Sequence, residues 1–115
     1  MPPSKLAVAT SSVTRLVKEE ASYHKEMEQQ EKRIKKLEED KNVENAEYLL
    51  KQERQALEET KKVIPSVREK IQGALEKLED ELESNKEDGD DAPTGEVTKA
   101  KEAIAEGKKA LREVS

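Results

Sequence analysis

A chain of 115 residues with no Cys, Trp or Phe and only two Tyr must build any core from aliphatic side chains. Apolar residues make up 32% and charged residues 43%, a balance that disordered chains share, but the charges alternate in sign and the apolar residues recur regularly, so long amphipathic helices are expected. The lack of cysteine excludes a disulfide framework and a thiolate metal site, and no run approaches the roughly 20 apolar residues of a membrane span.

The N-terminus, "MPPSKLAVATSSV", lacks the apolar stretch of a secretion signal, so a soluble cytosolic protein is expected. From Leu6 to Leu37 the chain fits a seven-residue repeat. Leu6, Val13, Glu20, Met27 and Ile34 fall at one inner position; Ala9, Leu16, Tyr23, Gln30 and Leu37 fall at the other. Eight of these ten are apolar or aromatic, and their flanks are charged, as in a coiled-coil seam. The first helix is expected over about 5–40, its start lying between Ser4 and Ser12 because "VATSSVT" is rich in weak helix formers.

The stretch "EDKNVEN" (39–45) loses the pattern, and its Asp40, Asn42 and Asn45 favour turns and caps, as in a link between antiparallel helices. The repeat resumes with Leu50, Leu57, Ile64, Ile71 and Leu78 at one position and Ala46, Glu53, Thr60, Val67 and Ala74 at the other. Leu49, Val63, Leu75 and Leu82 widen the stripe, as suits a helix touching two neighbours. This second helix is expected over about 44–84.

Pro65 sits inside it, where a proline costs about 3 kcal/mol or more. Two readings compete: a new helix beginning at Pro65, or one continuous helix with a kink. The unbroken register from Leu57 and Thr60 through Ile64 and Val67 to Ile71 favours the kinked helix, and no Gly, Asn or Asp stands nearby to cap a turn. Pro65 then falls on the outer face, where water can satisfy the carbonyl of Lys61.

An acidic linker is expected over 85–94, with Gly89 and Pro93 among acids. Residues 79–91 hold eight acids and one Lys; the rest of the chain has 21 basic and 19 acidic residues, so the net charge of −5 is local. No face is clearly basic and aromatics are scarce, which argues against nucleic acid as a partner. A third helix is expected over about 95–114, with Val97, Ala100, Ile104, Gly107, Leu111 and Val114 on its seam, Thr94 as its N-cap and Glu96 near its positive end.

Three seams and two links predict an all-α fold, an antiparallel three-helix bundle with heptad packing, forming one domain over 1–115. Helices 1 and 2 each exceed ~45 Å on this reading, whereas the third spans about 30 Å. The far tip, with Ile34, Leu37, Leu50 and Leu57, is therefore expected to be closed by only two helices, and to be either looser or a place where an oligomer forms. Glu20, Gln30, Glu53 and Thr60 on inner lines are expected at bundle edges or hydrogen-bonded across helices, because a buried unpaired carboxylate is costly.

Catalysis finds little support. His24, flanked at helical spacing by Glu20 and Glu28, reads as a solvated surface histidine in preference to a three-ligand metal face. There is no phosphate-cradling glycine loop and no nucleophile–base pair. The basic clusters Lys32-Arg33-x-Lys35-Lys36 and Lys61-Lys62 read as solvated faces that jointly suit an acidic protein partner.

Arg15-Leu16-Val17-Lys18-Glu19, Tyr23, Gln29-Gln30-Glu31 and Ile64-Pro65 stand in an order and spacing that resembles the tubulin-binding cofactor A family, a likeness that covers the first two helices and fades after residue 83. The resemblance implies a three-helix bundle with a proline-kinked second helix. It also implies a non-enzymatic activity without nucleotide or metal: capture of β-tubulin released from the cytosolic chaperonin and its transfer toward the αβ heterodimer, in the cytoplasm and with the cytoskeleton. Other tubulin-folding cofactors are further partners on that reading, and the protein is a monomer or a homodimer. β-Tubulin is itself acidic, so binding has to rest on local complementarity of charged helix faces. The expected contacts are Glu58, Lys61, Lys62, Pro65, Arg68 and Glu69 on the outer face of helix 2, then Lys18, Lys32 and Lys36 on helix 1. The runner-up is a structural repeat of the spectrin kind, which usually carries a core tryptophan that this chain lacks.

Overall fold

The computed structural model describes residues 3–40, 42–89 and 92–113. Its elements are three α-helices, α1 (Lys5–Glu39), α2 (Ala46–Glu87) and α3 (Thr94–Arg112), with no strand among the described residues. The all-α, three-helix architecture expected from the seams is what the chain adopts.

Each boundary has a local cause. Ser4 caps α1: its Oγ accepts the Ala7 N–H at 3.0 Å. The weak helix formers that follow stay helical because Leu6, Ala9, Val13 and Leu16 bury the apolar face of the segment, while Thr10, Ser12 and Thr14 direct their hydroxyls to the carbonyls of Leu6, Val8 and Thr10, one turn back. In the link, Asp40 Oδ1 accepts the Asn42 N–H, and Asn45 adopts a left-handed φ of 61° that short polar side chains tolerate.

The helix α2 runs through Pro65 without a break, so the alternative of a new helix starting there is set aside. Pro65 and Lys61 are both exposed, and the carbonyl that the proline leaves without an N–H lies on a wet face. The end of α2 lies at Glu87, past the expected 84. The stop signal is Gly89 (φ 87°), whose N–H reaches the Lys86 carbonyl at 3.2 Å, and Ser84 and Asn85 before it are still helical.

At the start of α3 one expectation fails. Pro93 occupies the N-cap position with no side-chain cap, and Thr94 is the first helical residue. The Thr94 carbonyl instead accepts the Thr98 hydroxyl at 3.0 Å. Glu96 does lie in the first turn, where its carboxylate accepts the Ser4 hydroxyl at 3.2 Å. Val114, placed on the third seam above, and Asp90 and Asp91 of the acidic run lie outside the described residues.

By proximity the chain divides into two compact units. The first combines α1 up to Glu19, α2 from Val67 onward, and α3. Its core is Leu6, Ala9, Val13 and Leu16 from α1, Val67, Ile71, Leu75 and Leu78 from α2, and Ala100, Ala103 and Gly107 from α3. Val13, Ile71 and Leu78 are fully enclosed, each burial stabilising by roughly 1.5–3 kcal/mol. The inner line of α3 is small, which lets it come close: a Cβ built on Gly107 would stand 2.7 Å from Leu75 Cδ2.

The second unit, residues 20–66, is a hairpin of the rest of α1 and α2. Here Met27, Ile34, Leu37, Leu49, Leu50 and Leu57 are only half-buried. Its buried residues include three polar ones, Glu20, Gln30 and Thr60, beside Ile64.

Candidate partner-binding surface

The inner-line polar residues differ in how far they follow the expectation. Glu53 is half-buried and pairs with Arg33 at 3.3 Å across the hairpin, an edge position. Thr60 turns its hydroxyl to the Ala56 carbonyl within its own helix. Glu20 and Gln30 are not at an edge: each is only 4% exposed. Among the described residues no group donates a hydrogen bond to Gln30 Oε1, an arrangement that costs about 1–3 kcal/mol in a buried amide.

His24 is half-buried rather than fully solvated, its Nε2 3.8 Å from a Glu20 oxygen. Glu28 is turned to Lys32 at 3.4 Å, so the three-ligand face is not assembled. Among the described residues no group of three His, Cys, Asp or Glu is placed to hold a metal ion. No helix among them is long and apolar enough to cross a membrane.

Of the residues expected to meet a partner, Glu58, Lys61, Lys62 and Pro65 belong to the hairpin unit and are all exposed. Lys61 Nζ lies 3.9 Å from Glu58, a contact loose enough to exchange for an external carboxylate. Lys32 and Lys36, in the same unit, are exposed as well. In the three-helix unit Glu69 and Lys18 are exposed.

Arg68 differs from the rest. It is half-buried, and its guanidinium donates to the carbonyls of Ala110 (3.0 Å), Leu111 (2.6 Å) and Glu113 (3.3 Å) at the end of α3. A helix C-terminus leaves its last carbonyls without N–H partners, and a planar cationic fork suits them well. Arg68 therefore closes α3 from a neighbouring helix. The sequence placed it on the outer face of helix 2 among the expected partner contacts and gave no sign of this contact, which depends on where α3 ends.

The exposed faces are thus long, charged and of mixed sign. The sequence profile of the tubulin binding cofactor A family matches residues 1–104, reaching into α3 and beyond the point where the resemblance was expected to fade. The tubulin-specific chaperone A of Saccharomyces cerevisiae is 37% identical over 106 residues, covering 90% of this chain and 97% of its own. The crystal structure of tubulin folding cofactor A from Arabidopsis thaliana superposes with a TM-score of 0.75 at 32% identity, over 90% of this chain and 92% of that one. A solved β-tubulin binding post-chaperonin cofactor gives a TM-score of 0.77 at 33% identity, over 96% and 100% of the two chains. This chain belongs to the tubulin binding cofactor A family.

Proposed function

We propose that this protein is a tubulin-folding cofactor that captures β-tubulin released from the cytosolic chaperonin and passes it on toward αβ-heterodimer assembly. It acts by binding rather than by catalysis, in the cytoplasm. The observation that carries the reading is the near full-length likeness to a β-tubulin binding post-chaperonin cofactor, in sequence and in fold together. The same likeness favours it over a structural repeat of the spectrin kind.

Contact is through charged helix faces. In the hairpin unit the exposed Glu58, Lys61, Lys62 and Pro65 form the leading surface, with Lys32 and Lys36 as further cations. In the three-helix unit Glu69 and Lys18 contribute, whereas Arg68 serves α3 first. Exposed pairs of this kind give specificity and on-rate more than raw affinity.

The test is retention of newly folded β-tubulin by the immobilised protein, with α-tubulin as the control. Preferential capture of β-tubulin is expected, and equal retention of the two would reject the reading. Reversing Lys61 and Lys62 to Glu is expected to weaken capture by about tenfold, with the helical circular dichroism unchanged. Unaltered capture by that variant would remove those two lysines from the surface.

A further inference from the structure

The three-helix unit holds two glycines in helix interiors, and they answer to different demands. Gly107 is buried, and any Cβ there would strike Leu75, so the packing of α3 requires it. Gly73 is exposed in the middle of α2, and a Cβ built on it would meet nothing within 4 Å. A mid-helix glycine weakens a helix relative to alanine, and no close packing among the described residues calls for one at Gly73.

The space over Gly73 is a groove of about 430 Å³ between α1 and α2. Its apolar part includes Val8, Ala9, Leu16 and Ala74, and Val8 is 48% exposed, a large share for a valine. Arg15, Lys70 and Lys77 stand around it, against the single carboxylate of Glu19. All three cations are exposed, and none forms an ion pair among the described residues. The local charge fits the wider pattern: residues 1–18 contain Lys5, Arg15 and Lys18 and no acid, in a chain whose net charge is −5.

We propose that this groove is a docking site for an acidic segment of the client polypeptide. An apolar side chain of the segment sits over Gly73, where the missing Cβ allows close approach, and its carboxylates meet Arg15, Lys70 and Lys77. The identity of the client rests on the function proposed above; the groove and its preference for an acidic, partly apolar segment do not. Bare backbone under a small apolar floor gives contact area, and unpaired cations at the rim give sign selectivity.

Filling the groove tests this directly. Gly73→Leu places a side chain into open space and improves helix propensity, so the variant is expected to melt at or above the wild-type temperature. It is expected to lower β-tubulin capture by about tenfold. The double variant Lys70→Glu/Lys77→Glu leaves the floor intact and is expected to lose capture to a similar degree, with a weaker dependence on salt. A second readout uses a short fluorescein-labelled helical peptide with Glu and Leu on one face, followed by anisotropy. The wild type is expected to bind it, Gly73→Leu and the double variant to lose it, and the counterpart with Lys for Glu to be ignored by all three.

Wild-type capture of β-tubulin retained in both folded variants overturns the groove and leaves the function standing. Failure of the wild type to capture β-tubulin, with groove-dependent peptide binding preserved, overturns the client and leaves the groove. Peptide binding that survives both substitutions, or that heparin reproduces equally well in Gly73→Leu, overturns the site as a protein-docking groove.

Discussion

The two units use the same helices differently. In the three-helix unit, inner-line residues of α1 and α2 meet a third layer, and Val13, Ile71 and Leu78 are wholly withdrawn from water. In the hairpin unit, equivalent heptad positions hold Met27, Ile34, Leu50 and Leu57, which remain half-buried. Two helices cover only part of each other's apolar stripe, whereas three close it. The same seven-residue pattern therefore specifies a firm core in one unit and a wetter seam in the other, where cross-helix ion pairs and buried polar side chains fill inner positions.

The largest expected effect comes from truncating equivalent seam positions in the two units. Ile71→Ala should destabilise by about 2–5 kcal/mol, because a fully enclosed side chain leaves a cavity. Leu57→Ala should cost roughly half as much, since part of its surface is already hydrated. Urea unfolding followed by circular dichroism measures both, and equal costs would break the comparison.

Next comes the fixation of α3. Its inner line of Ala100, Ala103 and Gly107 buries little apolar area, so Arg68 at its C-terminus matters more than a typical exposed arginine. Arg68→Ala is expected to cost about 1.5–3 kcal/mol through lost charge-assisted hydrogen bonds. Hydrogen exchange should speed up first in the last turn of α3, and Arg68→Lys should recover only part of the loss because an ammonium lacks the planar fork. Uniform acceleration along all three helices would argue against a local clamp.

A change of opposite sign is expected at Gln30. Gln30→Met keeps the length of the side chain and removes an acceptor without a donor, so the hairpin unit should gain about 1 kcal/mol, read as a higher Tm. A lower Tm would mean that the amide's other atoms matter more than its oxygen. The smallest effect belongs to the Arg33–Glu53 pair, half-exposed at 3.3 Å. Glu53→Gln should shift stability by less than about 1 kcal/mol, and the shift should shrink as salt rises. A larger, salt-independent loss would show that ion pairs carry the hairpin.

Much of this fold was legible in the residues. The heptad phase located the helices, placed Leu6, Val13, Ile71 and Leu78 inside, and kept Pro65 within one helix on an exposed face. Asp40, Asn42 and Asn45 marked the first link by turn chemistry. The cap of α3 was misread because a threonine before a helix is a good cap in general, whereas here Pro93 fixes the preceding φ and takes that place. The burial of Glu20 and Gln30 was misjudged too, since periodicity gives a face and not the depth at which a side chain ends on it.

By itself the sequence determined which segments are helical and which faces turn inward. Those properties follow from local propensity and period, which each segment carries alone. The tertiary structure decided what depends on distances between helices. Arg68 closes α3 because the end of that helix arrives beside it, and Gly107 is required because Leu75 faces it. Gly73 lies over open space because none of the described residues comes to cover it. Identical residue types thus received opposite roles, since a glycine's meaning is set by its neighbours across the gap and not by its neighbours along the chain.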